Sequence, residues 1–182
     1  MPSGRTHDSI TLWSLLPVTG CAYLVSQKPT VTLLLAGGYL FGGLMFGPDL
    51  DTHSCQYRRW GALRWVWLPY RRAMRHRSQW SHGMLIGTVG RLFYLLSLVS
   101  CGALLALLLW EIVLWLGDRP SHTTTIAHQM LETSLVWFST SVQTYPGEWL
   151  GAFLGLELGA MSHSLSDWIV STVKRRQRSK RR

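Results

Sequence analysis

Seven side chains, all imidazole or carboxylate, fall in four short polar islands between long apolar runs. His7 lies in "RTHD" (5–8), Asp49 and Asp51 in "GPDLD" (47–51), His76 and His82 in "HRSQWSH" (76–82), and His163 and Asp167 in "SHSLSD" (162–167). Imidazole with carboxylate and no thiolate suits a divalent metal, zinc first, with manganese or iron(II) as alternatives. Cys21, Cys55 and Cys101 are far apart and form no CxxC pair, so a cysteine metal site is set aside and a reducing or lipid-buried setting fits. The donors outnumber what one tetrahedral zinc needs, which makes a two-ion site plausible. Such a site would activate a water for displacement at phosphorus or attack at another ester.

Spacing constrains each island. His163 and Asp167 are four apart, so a helix puts them on one face, as joint ligands or as an Asp orienting a His. The competing reading is a polar pair that glues helices together, set against the functional default for ionisable residues inside a membrane. Glu157, six positions before His163, points elsewhere and is expected to be a supporting or buried-pair group. Asp49 and Asp51 follow Gly47-Pro48 at alternate positions of an extended turn, where they could share one ion or bridge two. Alone, the same pattern also suits a solvated turn or helix caps. His76 and His82 are six apart and reach one site only if the chain turns between them. Ser81 is expected to cap the next helix with His82 in its first turn, and Asp8 is a candidate cap of the first helix.

These islands must be held by membrane elements. Nearly half of the 182 residues are hydrophobic, 15% are charged, and ten are tryptophan. Such a composition, with charge gathered in clusters, is membrane-protein organisation. Four stretches approach the length of about 20 residues that crosses a bilayer: 10–26, 30–47, 92–116 and 149–173. The expected fold is therefore all-α, a polytopic membrane helical bundle of about four transmembrane helices. It forms one domain (1–173) followed by a basic tail (174–182). Gly37-Gly38 and Gly42-Gly43 in the second stretch would let helices approach closely in lipid.

Basic residues test this topology. With alternating spans, one side receives Arg5, the seven arginines at 58, 59, 64, 71, 72, 75 and 77, and the seven basic residues of "KRRQRSKRR". The other side receives Lys28 and Arg119. The positive-inside rule makes the first side cytoplasmic, with both termini inside. All four islands then fall on that face, while His122 and His128 fall opposite. "VTGC" (18–21) also matches the pattern before a lipoprotein cysteine, which Asp8 and Pro17 weaken.

The loop "QYRRWGALRWVWLPYRRAMRHR" interleaves arginine with Trp60, Trp65, Trp67, Tyr57 and Tyr70, a mixture suited to the headgroup zone. Arginine grips phosphate bidentately, so anionic lipid headgroups are the expected partner of this loop and of the tail. A purely topogenic loop is the plainer alternative, and nucleic acid is disfavoured. Residues 121–144 carry apolar positions near helical spacing and are expected to form an interfacial helix on the outer side.

The islands "GPDLD", "HRSQWSH" and "GAMSHSLSD", in this order between spans, resemble the membrane-bound metal-dependent hydrolases. "SGRTHD" with "FGGLMFGPDLD" and "RRWGALRWVWLPYR" more closely resembles an uncharacterised metal-binding membrane protein family common in cyanobacteria, over most of 3–95 and 147–168. "GAMSHSLSD" is also similar to the His-x-x-x-Asp element of zinc-dependent phospholipase C enzymes. By position, the resemblance implies His7, Asp49, Asp51, His76, His82, His163 and Asp167 as metal ligands. Here Ser81-His82-Gly83 stands where the hydrolases typically have Thr-His-Ser.

Together these features favour a metal-dependent hydrolase acting on a phosphoester or lipid headgroup at the cytoplasmic membrane face. In that scheme a bridging carboxylate, Asp49 or Asp51, and His82 serve the reaction. The alternatives are a non-catalytic membrane protein that binds metal for structure, storage or assembly, and a scaffold whose polar residues only pair internally.

Overall fold

A proline and a two-residue link set the first helical hairpin. In the computed structural model, which describes residues 4–74, 78–118 and 123–179, helix α1 spans Gly4–Ser26 and continues through Pro17. Gln27 turns the chain with φ of 52°, Lys28 is extended, and Pro29 opens α2 (Pro29–Leu44) at a position where its missing N–H costs nothing. The two helices pack antiparallel. Ser14 Oγ meets Tyr39 OH at 2.6 Å and Thr11 lies against Gly43, polar and small-residue contacts that suit helices in lipid.

The chain then breaks into short pieces. Gly47-Pro48 starts a 3₁₀ turn over Pro48–Asp51, followed by α3 (Cys55–Arg59), a second 3₁₀ segment (Gly61–Trp67), α4 (Leu68–Ala73) and α5 (Gln79–His82). Ser54 caps α3, accepting from the Tyr57 amide at 3.2 Å. Three long helices complete the chain: α6 (Ile86–Leu116), α7 (Thr123–Thr144) and α8 (Pro146–Ser179). Every regular element among the described residues is helical, as expected. By compactness the chain divides into one unit of Met1–Gly90 with Gly147–Arg182 and a second of Arg91–Pro146.

Glycines set how α8 meets α2. Gly151 faces Val31, Gly155 faces Leu35 and Gly159 faces Tyr39, while Gly38 and Gly42 of α2 face Ala152 and Leu156. A Cβ at Gly155 or Gly159 would collide with the carbonyl oxygen opposite, so the backbones themselves are in contact. The constant offset makes the two helices parallel. One turn further, the same register brings His163 to Gly43, at the end of α2 and beside the 3₁₀ turn.

The buried core sits at this end. Phe46, Trp67 and Tyr70 are almost wholly buried, with ring centroids 5.6 Å apart from Phe46 to Trp67 and from Trp67 to Tyr70. Elsewhere the helices display apolar surface. Among the described residues, three stretches are long and apolar enough to cross a membrane: Thr6–Ser26, Pro29–Asp51 and Ile86–Leu116. The third begins six residues before the expected 92–116. The expected fourth, 149–173, lies within the unbroken α8, whose Glu148, Glu157, His163 and Asp167 make it less apolar than those three. Residues 121–144 form α7, helical from Thr123, with Ile126, Met130, Leu131, Leu135 and Phe138 exposed.

Candidate metal site

Four segments converge at the end of α2. The 3₁₀ turn supplies Asp49 and Asp51, α5 supplies His82, the first turns of α1 supply His7, and α8 supplies His163. Asp49 lies between two imidazoles: its Oδ2 is 3.0 Å from His163 Nε2 and its Oδ1 is 3.7 Å from His82 Nε2. His82 Nδ1 is in turn 3.9 Å from Asp51 Oδ2. The donors therefore form a chain, His163–Asp49–His82–Asp51. The Asp51 side chain is fully buried and that of His163 is 4% exposed, whereas His82 and Asp49 keep 15% and 23% exposure. One side of the group is thus open.

The turn holds Asp49 by its backbone. Its carbonyl accepts from Thr52 Oγ1 at 3.1 Å and Ser54 Oγ at 2.8 Å, leaving the carboxylate to face the histidines. Asp49 and Asp51 thus project from a tight 3₁₀ turn rather than an extended one. Ser81 corrects its expected role as well. It lies inside α5, which begins after Ser78, and its Oγ contacts His82 Nδ1 at 2.8 Å, so it orients the imidazole instead of capping α6.

His7 stacks on His163, with ring centroids 3.8 Å apart and 20° between planes. Ser166 holds both: its Oγ lies 2.7 Å from His7 Nδ1 and donates to the His163 carbonyl at 2.8 Å. Gln56 donates to the Gly43 carbonyl at 2.8 Å and sits 3.4 Å from His163 Nδ1. Sequence reasoning passed over Gln56 and Ser166. The available signal was spacing, since Ser166 is three residues from His163, but neither residue is a metal-ligand type.

Two nominated positions lie outside this description. His76 falls outside the described residues, and so does the side chain of Asp167, one turn beyond His163 on α8. Asp8 does not cap α1, which starts four residues earlier. Its carboxylate takes both terminal nitrogens of Arg59, which also donates to the Leu44 carbonyl at 2.8 Å. That carboxylate raises the guanidinium pKa above its usual value. Glu157 is buried, and its Oε1 accepts the Leu85 amide at 2.8 Å, tying down the link between α5 and α6. Leu85 sits at φ of 61°, a conformation costly to a γ-branched residue. His128 pairs with Glu132 on the exposed surface of α7, away from these donors in sequence and in the other unit; His122 lies outside the described residues.

Among the described residues no three His, Cys, Asp or Glu side chains already enclose a point where an ion would sit. The donors nevertheless fit a divalent metal. Among the described residues His163 Nε2 is buried and makes no well-aligned hydrogen bond, with an Asp49 carboxylate oxygen 3.0 Å away. That separation, an ion-pair distance as it stands, is also compatible with both groups binding one ion, since ligands about 2.0–2.2 Å from an ion stand roughly 3 Å apart. Cys55 does not join the set, being engaged by Arg58 at 3.3 Å.

Comparison with known proteins accords with this chemistry. A 59-residue part of the chain is 42% identical to an uncharacterized protein of Aquifex aeolicus (strain VF5). The match covers 32% of this chain and only 41% of that relative's length. No solved structure matches the chain. A family profile described as "Uncharacterized metal-binding protein (DUF2227)" matches residues 2–177. The chain therefore belongs to this family of uncharacterized metal-binding proteins.

Proposed function

We propose that the protein is an integral membrane metal-dependent hydrolase whose site, at the cytoplasmic face, acts on a phosphoester such as a lipid headgroup. The observation that carries this reading is the open-sided chain His163–Asp49–His82–Asp51, set at one end of apolar helices. His163, Asp49, His82 and Asp51 would hold a divalent ion, zinc by donor type, with His7, His76 and Asp167 completing a first or second ion. A bound ion there supplies Lewis-acid polarisation and an activated water. The chain's own residues do the rest. Asp49 presents its two oxygens to two imidazoles, Ser81 fixes the ring of His82, and Ser166 with Gln56 fixes His7 and His163.

A membrane setting is favoured by α6, whose most apolar stretch is long enough to cross a bilayer and is unburied among the described residues, a large exposed apolar surface. The parallel run of α2 and α8 supports the topology proposed. If α1, α2 and α6 each cross once, α8 can run parallel to α2 only if α7 begins and ends on the same side. That parity supports four spans with α7 at one interface and both termini on the opposite side, which the positive-inside rule makes the cytoplasmic one. Partial exposure of Asp49 and His82 favours an enzyme over the second reading, a closed metal site for structure or assembly.

The test is hydrolysis by purified full-length protein of a chromogenic phosphodiester and of a phospholipid. Chelation and Asp49→Asn should each lower the rate at least 100-fold, with zinc or manganese restoring the chelated wild type. A metal-loaded protein inert toward both substrates would leave the non-catalytic reading.

A further inference from the structure

Between residues 52 and 84 the chain carries seven arginines and no aspartate or glutamate. The structure divides the described ones by role. Arg59 is taken by Asp8 and the Leu44 carbonyl, Arg71 lies 4.5 Å over the Tyr57 ring, and Arg58 reaches Cys55. Arg64 and Arg72 are exposed and form no ion pair among the described residues.

The surface around them is apolar and held in place. Leu63 and Trp65 are 57% and 59% exposed, and Leu68 is also exposed. Beneath them, Trp60 Nε1 donates to the Met45 carbonyl at 2.9 Å, and Trp67 is fully buried against Phe46, Trp60 and Tyr70. Gly61, at φ of 55°, makes the bend that a side chain would resist. The segment Gly61–Trp65 is therefore clamped from below and presents Leu-Arg-Trp outward. Arg59 and Trp60 bind the carbonyls of Leu44 and Met45, so the segment lies level with the end of α2 that carries the site. Leucine and tryptophan beside unpaired arginine is the chemistry of the acyl–headgroup boundary.

We infer that residues 60–72 form a rigid platform that binds anionic phospholipid of the surrounding bilayer beside the metal site. Leu63, Trp65 and Leu68 enter the acyl boundary, and Arg64 and Arg72 grip headgroup phosphate. Arg59 and Arg71 serve the fold instead. This inference rests on the membrane part of the proposed function and needs neither metal nor hydrolysis.

The test places full-length protein in nanodiscs of mixed phosphatidylcholine and phosphatidylglycerol and measures, by mass spectrometry, the lipid retained after extraction into neutral detergent. Wild type should enrich phosphatidylglycerol, and added salt should reduce the enrichment. Arg64→Gln with Arg72→Gln should weaken that preference about 5-fold per charge removed, at wild-type metal content. Arg59→Gln should retain it. Equal enrichment in wild type and the double variant would overturn the platform while leaving the metal site intact. Loss of the lipid to a competing oligonucleotide would reassign these arginines to nucleic acid. A chain that does not enter the discs would overturn the membrane reading and this inference together.

Discussion

His163 Nε2 lies 3.0 Å from Asp49 Oδ2 without the alignment of a hydrogen bond. The two residues are over 110 positions apart, and the contact depends on α8 lying directly on the backbone of α2. The glycine register along those helices thus determines the geometry of the donors.

That dependence gives the first prediction. Gly155→Ala or Gly159→Ala puts a Cβ into a carbonyl of α2, so the helices must separate or shift. Overpacking of this kind costs about 1–3 kcal/mol, and thermal unfolding in detergent should show it. Gly20→Ala and Gly102→Ala, which meet nothing within 4 Å, should be neutral or slightly stabilising. Gly159→Ala should also lower metal content, because it lies one turn before His163.

Gln56→Ala should leave a metal-binding protein with weaker affinity. The amide satisfies the Gly43 carbonyl and abuts His163 Nδ1, so its loss frees the ring. Outer partners of metal-binding histidines are typically worth 10–100-fold in affinity, and competition with a chromogenic chelator would measure the change. An unchanged affinity would remove Gln56 from the site.

Glu157 separates positioning from charge. Glu157→Gln keeps an oxygen that accepts from the Leu85 amide and should retain metal content. Glu157→Leu removes the acceptor and loosens the link three residues after His82, so metal content should fall. Leu85→Gly should stabilise the chain by up to about 1 kcal/mol by relieving its left-handed backbone.

Asp8→Asn tests the tie between α1 and α3. The pair with Arg59 is partly exposed, so its loss should cost no more than about 1 kcal/mol in thermal unfolding. Metal content should be unchanged, since neither residue belongs to the donor chain.

Much of this was legible before the structure. Apolar length marked the long helices, and the polar islands contain Asp49, Asp51, His82, His7 and His163, which the fold brings together. What was hidden depended on tertiary contact. Ser81 has the sequence look of a cap, and only the start of α5 shows that it holds His82 instead. Gln56 and Ser166 are ordinary polar residues until α8 lies beside α2. The glycines at 147, 151, 155 and 159 do carry a spacing signal, but their partner helix does not follow from it. Glu157 reads in the sequence as a supporting or buried-pair group, and its partner is a backbone amide reached by a loop turn that no pattern announces.

The central claim is that His163 and Asp49 share a metal, and elemental analysis of the purified full-length protein tests it most directly. The expected result is at least one equivalent of zinc, manganese or iron in the wild type, largely lost in His163→Ala and Asp49→Ala, with both variants still helical by circular dichroism. A wild-type protein free of stoichiometric metal after expression in metal-replete medium, or variants that keep the full complement, would contradict it.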